Sequence, residues 1–305
     1  MPARILAVTA LGLAGCGFHV GASGSDAATG DARDASNRDA DPDAAIDGPP
    51  GMGPWSTPTL VTIPGAAGGD DDPTLTGDRL EMYFNRLADI YVTRRPSVAA
   101  LWGAPALVPE LSSPSIETTP EITSDGLTMF LASDRLGSSL GSGDIWMSTR
   151  PNRTSAWSAP VNVPSASSTS ADSGSAVTDD LLAMVLNSTR ETVFADLYIT
   201  TRATPTAAWN PPVALAALDT GGSDLSPILS QDKLQIYWDS DGGSGSDDLY
   251  MATRSSTSGT FGAPVNLTEL NSSSVEADPW VSADGHHIVF VSNRSGVFQI
   301  YEASR

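Results

Sequence analysis

The chain has 305 residues, with 28 Gly, 22 Pro and a formal net charge of −20. This length suits one large domain or two ordinary ones. The negative charge argues against nucleic acid or an anionic membrane surface as a binding partner, because few Lys and Arg are present to neutralise phosphate groups. A single Cys excludes a disulfide within the chain, so stability must come from packing.

Residues 1–15 have the composition of a secretory signal peptide. Arg4 is the only charge before an apolar run, Ile5 to Leu13, that is too short to span a bilayer. The sequence Leu13-Ala14-Gly15-Cys16 resembles the lipobox of bacterial lipoproteins, in which the Cys becomes the diacylated first residue of the mature chain. The resemblance implies a lipid anchor at Cys16 and, because Gly17 follows it, delivery to the outer membrane. The alternative is an ordinary signal peptide with an unmodified Cys.

Residues 16–54 form a segment rich in Asp, Ala, Gly and Ser with almost nothing to bury. Such a composition predicts a disordered tether. Its negative charge keeps it extended and repels it from anionic headgroups. The tether is therefore expected to hold the globular part away from the membrane.

From residue 55 to residue 305 the sequence repeats a unit five times. Each unit opens with an aromatic residue three positions before a Pro, at Trp55, Trp102, Trp157, Trp209 and Phe261. Three short alternating segments follow, and the last is closed by an aromatic residue, at Tyr91, Trp146, Tyr198, Tyr250 and Tyr301. The pattern predicts four strands of about five to seven residues per unit and no helix. Units of this kind are typical of an all-β, five-bladed β-propeller.

The phase of the repeats predicts how the ring closes. The chain opens with the Trp55 strand, which has no hairpin before it, and ends at Arg305 with three strands that lack a fourth. The first strand is therefore expected to complete the last blade. Closure of this kind removes the exposed strand edges that an open propeller would leave.

The sequences of the units resemble the repeats of TolB-type, WD40-like β-propellers. The match is best in Asp278-Pro279-Trp280-Val281-Ser282-Ala283-Asp284-Gly285 and in Pro120-Glu121-Ile122-Thr123-Ser124-Asp125-Gly126. It covers Trp55 to Arg305 and implies the propeller fold. Relatives of this kind include protein-binding modules and peptidase-associated propellers, so the resemblance leaves the function open. The third unit departs from the pattern, with Ser175 in place of Pro.

An acidic residue recurs three positions before the Pro position of each unit, where the strand that lines a propeller channel should begin. The five acids are Asp70, Glu117, Asp172, Asp224 and Glu276. They either pair with the arginines of a later loop, which are Arg86, Arg135, Arg190 and Arg294, or form a carboxylate rim that binds a ligand at the channel mouth. Gly242 stands at the arginine position of the fourth unit, so Asp224 is expected to be the least compensated acid.

Two further charged positions recur at the other end of each unit. The acids are Asp78, Asp125, Asp180, Asp232 and Asp284, and the bases are Arg95, Arg150, Arg202, Arg254 and Arg305. Both positions are expected at the same end of a blade, because the second strand runs back and the third returns. The pattern predicts five ion pairs within blades, with each Asp also capping its turn.

The loop from Asp239 to Asp248 alternates carboxylates with Gly and Ser, as a calcium loop requires. The ligands would be Asp239, Asp241 and Asp247. The alternative is a solvated turn, since the loop lacks the closing Glu of an EF-hand. No other cofactor is expected.

Catalytic motifs are weak in this sequence. Gly137-Ser138-Ser139-Leu140-Gly141 matches G-x-S-x-G but falls in a loop between strands, and only three His are present. A glycosidase would need two carboxyl groups about 5–5.5 or 6.5–9.5 Å apart. No catalytic residue is therefore assigned, and whether the protein is an enzyme is left open.

The function expected from the sequence is a noncatalytic propeller anchored in the outer membrane. It would bind a protein or a glycan on its loop face, as a monomer that touches the membrane through its lipid alone. The alternative is a carbohydrate-active hydrolase that uses the carboxylates at the channel mouth.

Overall fold

The computed structural model describes residues 52–66, 68–136, 140–242 and 246–305. Within these residues it contains five antiparallel sheets of four strands each and no helix. The predicted signal peptide, Cys16 and all but the last residues of the tether lie outside the described residues. In the described part of the chain, no helix is long and apolar enough to cross a membrane.

Each sheet has three strands of six residues and one of two residues. The first strands of the sheets are β2 (Asp70–Leu75), β6 (Glu117–Ile122), β10 (Asp172–Val177), β14 (Asp224–Leu229) and β18 (Glu276–Val281). The second strands are β3 (Glu81–Arg86), β7 (Thr128–Ser133), β11 (Ala183–Ser188), β15 (Gln235–Ser240) and β19 (His287–Ser292). The third strands are β4 (Asp89–Arg94), β8 (Asp144–Thr149), β12 (Asp196–Thr201), β16 (Asp248–Thr253) and β20 (Gln299–Ser304). The outer strands are β1 (Thr59–Leu60), β5 (Ala106–Leu107), β9 (Val161–Asn162), β13 (Val213–Ala214) and β17 (Val265–Asn266).

The five sheets are the blades of a propeller. Blades 1 to 4 are β2 to β5, β6 to β9, β10 to β13 and β14 to β17, and blade 5 contains β18, β19, β20 and β1. The first strands contact one another in a closed ring around a narrow channel. Large side chains fill the space between blades, and Tyr83, Phe130 and Trp238 are fully buried. The predicted five-bladed fold is confirmed.

Blade 5 is completed by the start of the chain. Thr59 lies opposite Glu302 and Leu60 opposite Tyr301 in the antiparallel pair of β1 and β20. The pairing extends beyond β1, since the Ser56 amide donates to the Ser304 carbonyl oxygen at 2.7 Å. The two ends of the described chain are thus joined as the repeat phase predicts.

The outer strands are shorter than predicted, with two residues instead of five to seven. A Pro precedes each pairing segment, as Pro58 precedes Thr59 and Pro105 precedes Ala106. Pro has no backbone N–H to donate to a ladder, so pairing begins only after it. The outer segment is held at its start by the aromatic side chain instead.

An arginine lies over that aromatic ring in every blade. The guanidinium carbon is 4.0 to 4.5 Å from the ring centroid in Arg95–Trp102, Arg150–Trp157, Arg202–Trp209, Arg254–Phe261 and Arg305–Trp55. Each of these arginines also donates from Nε to a backbone carbonyl of the turn between the first two strands. The predicted Asp–Arg pairs within blades are therefore wrong, because the guanidinium stacks on the ring and bonds to the turn backbone. The predicted turn caps are present, as in Asp125, which accepts from Thr123 Oγ1 at 2.7 Å.

Candidate functional site

A β-bulge interrupts the first strand of each blade. The register against the second strand shifts at the same place in all five blades. One residue of each bulge has a left-handed backbone, and these are Asp72 (φ 51°), Thr119 (φ 45°), Gly174 (φ 55°), Ser226 (φ 47°) and Asp278 (φ 53°). Bulges of this kind re-aim side chains. The five residues, called the channel ring below, line one cavity of about 40 Å³ on the channel axis.

Hydrogen bonds connect neighbours around the channel ring. The Thr119 amide donates to Asp72 Oδ2 at 3.1 Å, and the Gly174 amide donates to Thr119 Oγ1 at 3.2 Å. Ser226 Oγ donates to Asp278 Oδ1 at 2.6 Å. These bonds hold the two acidic members of the ring in fixed positions in adjacent blades.

Four carboxyl groups, Asp71, Asp72, Asp239 and Asp278, meet where blades 4, 5 and 1 approach the channel. We call this set the carboxyl cluster. Asp71 and Asp72 both hydrogen-bond with the Asp278 carboxyl group, and the Asp278 amide donates to Asp239 Oδ1 at 3.0 Å. Two carboxyl groups can share a hydrogen bond only if one of them is protonated. The cluster therefore holds at least one proton.

Burial and mutual repulsion set the electrostatics of this cluster. Burial, and next the negative charge of Asp278, raise the pKa values of Asp71, Asp72 and Asp239 well above their ordinary range. The Asn85 amide, assigned with its nitrogen facing the cluster, donates to the Asp72 carboxylate and to the Asp71 carbonyl oxygen, the latter at 3.2 Å. Among the described residues that line the 40 Å³ cavity there is no Lys, Arg or His. The acids are thus balanced by protons and by neutral donors.

Glu121, on β6, lines the same cavity as Asp72 and Asp278. It also lines a larger cavity of about 330 Å³ at the opposite end of the channel. Burial raises the pKa of Glu121 to about 8; a hydrogen bond with Thr74 opposes this shift and the charge of Asp179 adds to it. At neutral pH the Glu121 carboxyl is therefore mostly protonated and able to donate a proton.

The acids predicted to form a binding rim are paired with arginines in four blades. The N–O distances are 2.6 Å in Asp70–Arg86, 3.0 Å in Glu117–Arg135, 2.5 Å in Asp172–Arg190 and 3.0 Å in Glu276–Arg294. The arginines also lie over the closing aromatic residues of the third strands, as Arg135 does over Trp146. These acids were expected either to pair with arginines or to form a ligand-binding rim. The geometry fits ion pairs within the blade, in four of the five blades.

Asp224 differs from the other four acids because no arginine faces it in the described chain. Its carboxylate accepts from Thr220 Oγ1 at 3.0 Å and from Trp238 Nε1 at 3.1 Å. Burial raises the pKa of Asp224, and hydrogen bonds from Ser240, Thr220 and Trp238 oppose the shift. Trp238 precedes Asp239 on β15, so Asp224 and Asp239 lie on opposite faces of the sheet. The structure does not bring these two acids into one site.

The calcium ligands expected in the Asp-rich loop do not converge in the described residues. Asp239 belongs to the carboxyl cluster, where nearby Asp247 contributes to its raised pKa. Asp241 Oδ1 accepts from the Ser223 amide at 3.1 Å. Residues 243–245 of this loop, and residues 137–139 of the G-x-S-x-G match, lie outside the described residues.

Another group of three acids lies between blades 3 and 4. One carboxylate oxygen from each of Asp196, Asp219 and Asp224 lies within 4.8 Å of the others. Thr192 Oγ1 donates to Asp196 Oδ2 at 2.8 Å. Asp224 therefore has two acidic neighbours, Asp196 and Asp219.

Comparison with known proteins places the fold among five-bladed propellers. No protein-family model and no curated protein matches the sequence. An endo-arabinase from Bacteroides thetaiotaomicron is 15% identical, with a TM-score of 0.59 over 81% of this chain and 98% of that one. An α-L-arabinofuranosidase from Podospora anserina, in complex with cellotriose, is 10% identical, with a TM-score of 0.55 over 82% and 96%. A putative TolB from Agrobacterium tumefaciens is 16% identical, with a TM-score of 0.50 over 77% and 76%.

At these identities the likeness establishes the fold, and the resemblance to TolB-type propellers is confirmed. The expectation of a noncatalytic binding module is wrong. The structures that this chain resembles include arabinofuranosidases and arabinanases, matched over 94% to 98% of their length. That expectation relied on the lack of a linear catalytic motif. Carboxyl groups contributed by separate blades leave no such motif.

Proposed function

We propose that this protein is a glycoside hydrolase that cleaves a neutral polysaccharide at the mouth of the central channel. One observation carries the proposal: Asp72 and Asp278 of the carboxyl cluster line the same cavity as Glu121, whose pKa burial raises to about 8, and no basic residue among those described lines it. Acid hydrolysis of a glycosidic bond requires one carboxyl group that donates a proton and one carboxylate on the other side of the bond. The likeness to arabinanases supports this choice over other reactions.

The two catalytic carboxyl groups come from adjacent blades, Asp72 from β2 and Glu121 from β6. Burial raises the pKa of Glu121 to about 8, so its carboxyl group is mostly protonated at neutral pH and can donate a proton. Glu121 is therefore the general acid. Asp72 is the base or nucleophile, because it lines the cavity with Glu121 whereas Asp71 does not, and because the Thr119 amide and the Asn85 side chain donate to it and so favour its ionised form.

The size and charge of the site restrict the substrate. A cavity of about 40 Å³ admits water but no sugar ring, so the sugar lies across the mouth and only the bond to be cleaved approaches the acids. A uronic acid would be repelled, since no basic residue lines the cavity in the described chain. Neutral pentose polymers are the first substrates to test.

The test is turnover of a polysaccharide panel. Residues 17–305 would be incubated with arabinan, arabinoxylan, xylan and a cello-oligosaccharide, and released sugars would be separated and quantified. We expect turnover of at least one neutral polymer and none of polygalacturonate. The double variant D72N/E121Q is the negative control. A folded protein that releases no sugar from any member of the panel would contradict the proposal.

We also propose that the hydrolase is displayed from the outer membrane by a lipid on Cys16. Met52, the first described residue, lines the 330 Å³ cavity at the end of the channel opposite the carboxyl cluster. The tether therefore joins the propeller at that end. Anchoring through it would leave the channel mouth, with its carboxyl groups, at the end of the propeller that the tether does not occupy.

Cys16→Ser is expected to move the protein from the membrane fraction to the soluble or secreted fraction, because the tether offers no apolar face as a second attachment. Fractionation of cells followed by immunoblotting measures the distribution. Ser23→Ala, a similar small change within the tether, should leave the protein with the membranes. Sedimentation of Cys16→Ser with membranes would refute the lipid anchor.

A further inference from the structure

The cavity of about 330 Å³ lies at the end of the channel where the turns between first and second strands converge, called the turn end below. Its volume falls within the range of small-molecule sites. Its inner wall is apolar and includes Ile122, Val177 and Ile228. Trp280 and the polar residue Gln235 also line it. The cavity thus combines an apolar interior with a polar entrance.

The acids that cap the turn between the first two strands do not have the same partners in all five blades. Away from the cavity, Asp78 Oδ2 pairs with Arg153 and Asp180 Oδ2 pairs with Lys233, both at 2.5 Å. Asp232 and Asp284 line the cavity, and each uses Oδ1 to cap its own turn. In the part of the chain that the structure describes, neither of these two has an ion-pair partner. Basic residues therefore pair with two of the three turn acids outside the cavity, Asp78 and Asp180, whereas Asp125 has no ion-pair partner in the described chain. Hydrogen bonds from Ser282 and His286, and the charges of His286 and Arg79, lower the pKa of Asp284.

Two more carboxyl groups belong to the cavity. Asp179 is exposed at its entrance and accepts a hydrogen bond from the Ser124 amide at 2.9 Å. Glu121 lies at its inner end. No Lys, Arg or His is among the described residues that line it. The cavity therefore has an apolar wall and carboxylates at its entrance, and one guanidinium group lies behind the wall, where Arg305 Nη2 donates to the hydroxyl of the lining residue Tyr237 at 2.8 Å.

We propose that the turn-end cavity binds a small organic cation, a molecule with one ammonium group on an apolar body. The apolar body would occupy the space between Ile122, Val177 and Ile228, and the ammonium group would lie among Asp179, Asp232 and Asp284. An anion would be repelled, and a neutral molecule of the same shape would leave the carboxylates uncompensated. This site shares Glu121 with the one proposed for glycan cleavage, but cation binding can be measured whether or not the protein cleaves glycans.

The pH dependence of binding follows from Glu121. The charged groups that face it are Asp179, Asp232 and Asp284 in the same cavity, and Asp72 and Asp278 through the narrower one. An ammonium group nearby favours the ionised form of Glu121 and so lowers its pKa from about 8. Affinity should then increase as the pH rises through 8. A decrease of about one unit in that pKa corresponds to about tenfold in affinity.

The first experiment is calorimetric titration of residues 52–305 with phenethylamine at pH 7, with 2-phenylethanol as the neutral molecule of similar shape. We expect phenethylamine to bind at least tenfold more tightly. The double variant D232N/D284N should lose this preference while keeping its turns, because Asn can still accept the turn hydrogen bonds. Asp125→Asn is the matched control, since Asp125 caps the equivalent turn of blade 2 and does not line the cavity.

A second experiment repeats the titration from pH 6.5 to 9 with wild type and Glu121→Gln. The rise in affinity should be present in the wild type and absent from the variant, and circular dichroism would verify that each variant is folded. Equal binding of the amine and the alcohol would overturn the proposal. So would no binding of the amine, or the same loss of affinity in Asp125→Asn as in D232N/D284N.

Discussion

A protein that lacks residues 17–64 is expected to unfold or aggregate, whereas one that lacks residues 17–53 should keep the melting temperature of the chain with its tether. The longer deletion removes β1 and with it the fourth strand of blade 5. It also removes Trp55, Val61 and Ile63, which are all buried. Buried side chains of this size contribute roughly 1.5–3 kcal/mol each, and a folded domain is stable by only about 5–15 kcal/mol.

Circular dichroism during heating, with light scattering to detect aggregation, compares the two truncations. The shorter deletion is the control, because it removes a similar length of chain and no strand. Trp55→Ala in the protein that lacks residues 17–53 separates the effect of the indole side chain from that of the strand. It should lower the melting temperature by an intermediate amount. Equal melting temperatures for the two truncations would show that the closing strand does not hold the ring together.

Asp72→Asn and Glu121→Gln are each expected to lower kcat on the best substrate by about 10²–10⁴-fold, as the loss of a general acid or base does. Both changes keep the shape of the side chain. Asn also suits the left-handed backbone at position 72. The Asp72 variant removes one of several mutually repelling carboxyl groups, so its melting temperature should not fall. Activity should therefore be lost without loss of the fold.

The pH profile distinguishes a catalytic role from a structural one. The general acid must be protonated, and burial raises the pKa of Glu121 to about 8. Activity measured as kcat/KM should therefore decline as the pH rises through about 8, and this decline should disappear from the residual activity of Glu121→Gln. Glu110→Gln, at an exposed carboxyl group, is the control and should match the wild type. A kcat within threefold of the wild type in both site variants would exclude the assigned roles.

Most of the fold could be predicted from the sequence because every blade of a propeller has the same order of strands and turns, so the same sequence pattern recurs in each unit. The Trp55 strand has no hairpin before it and the last three strands have no fourth strand after them. This arrangement alone predicted that the first strand completes the last blade. The partners of the repeated charges could not be predicted. The phase of the repeat predicted that Asp125 and Arg150 lie at the same end of a blade. It could not show that the Arg150 guanidinium stacks on Trp157, so that Asp125 caps its own turn instead of pairing with Arg150.

The candidate site was missed because it lies where the units differ. The acids that recur, such as Asp70 and Glu117, form ion pairs with an arginine of their own blade. The acids of the channel ring occur in two units alone, at Asp72 and Asp278, and the equivalent positions are Thr119, Gly174 and Ser226. An acid present at the bulge in only some units was the available indication. The proton held by Glu121 depends on burial in the channel, which a linear sequence does not record.

The bulges of the channel ring also limit which side chains can surround the axis. Each ring position has a left-handed backbone, which Gly, Asn and Asp adopt most readily and which is strained for β-branched residues such as Thr119. Large apolar side chains are thereby disfavoured at all five positions before any ligand is considered. The polar lining of the channel is thus in part a property of the backbone. A new specificity could arise by exchanging small polar residues at these positions while the strand pairing outside the bulges stays intact.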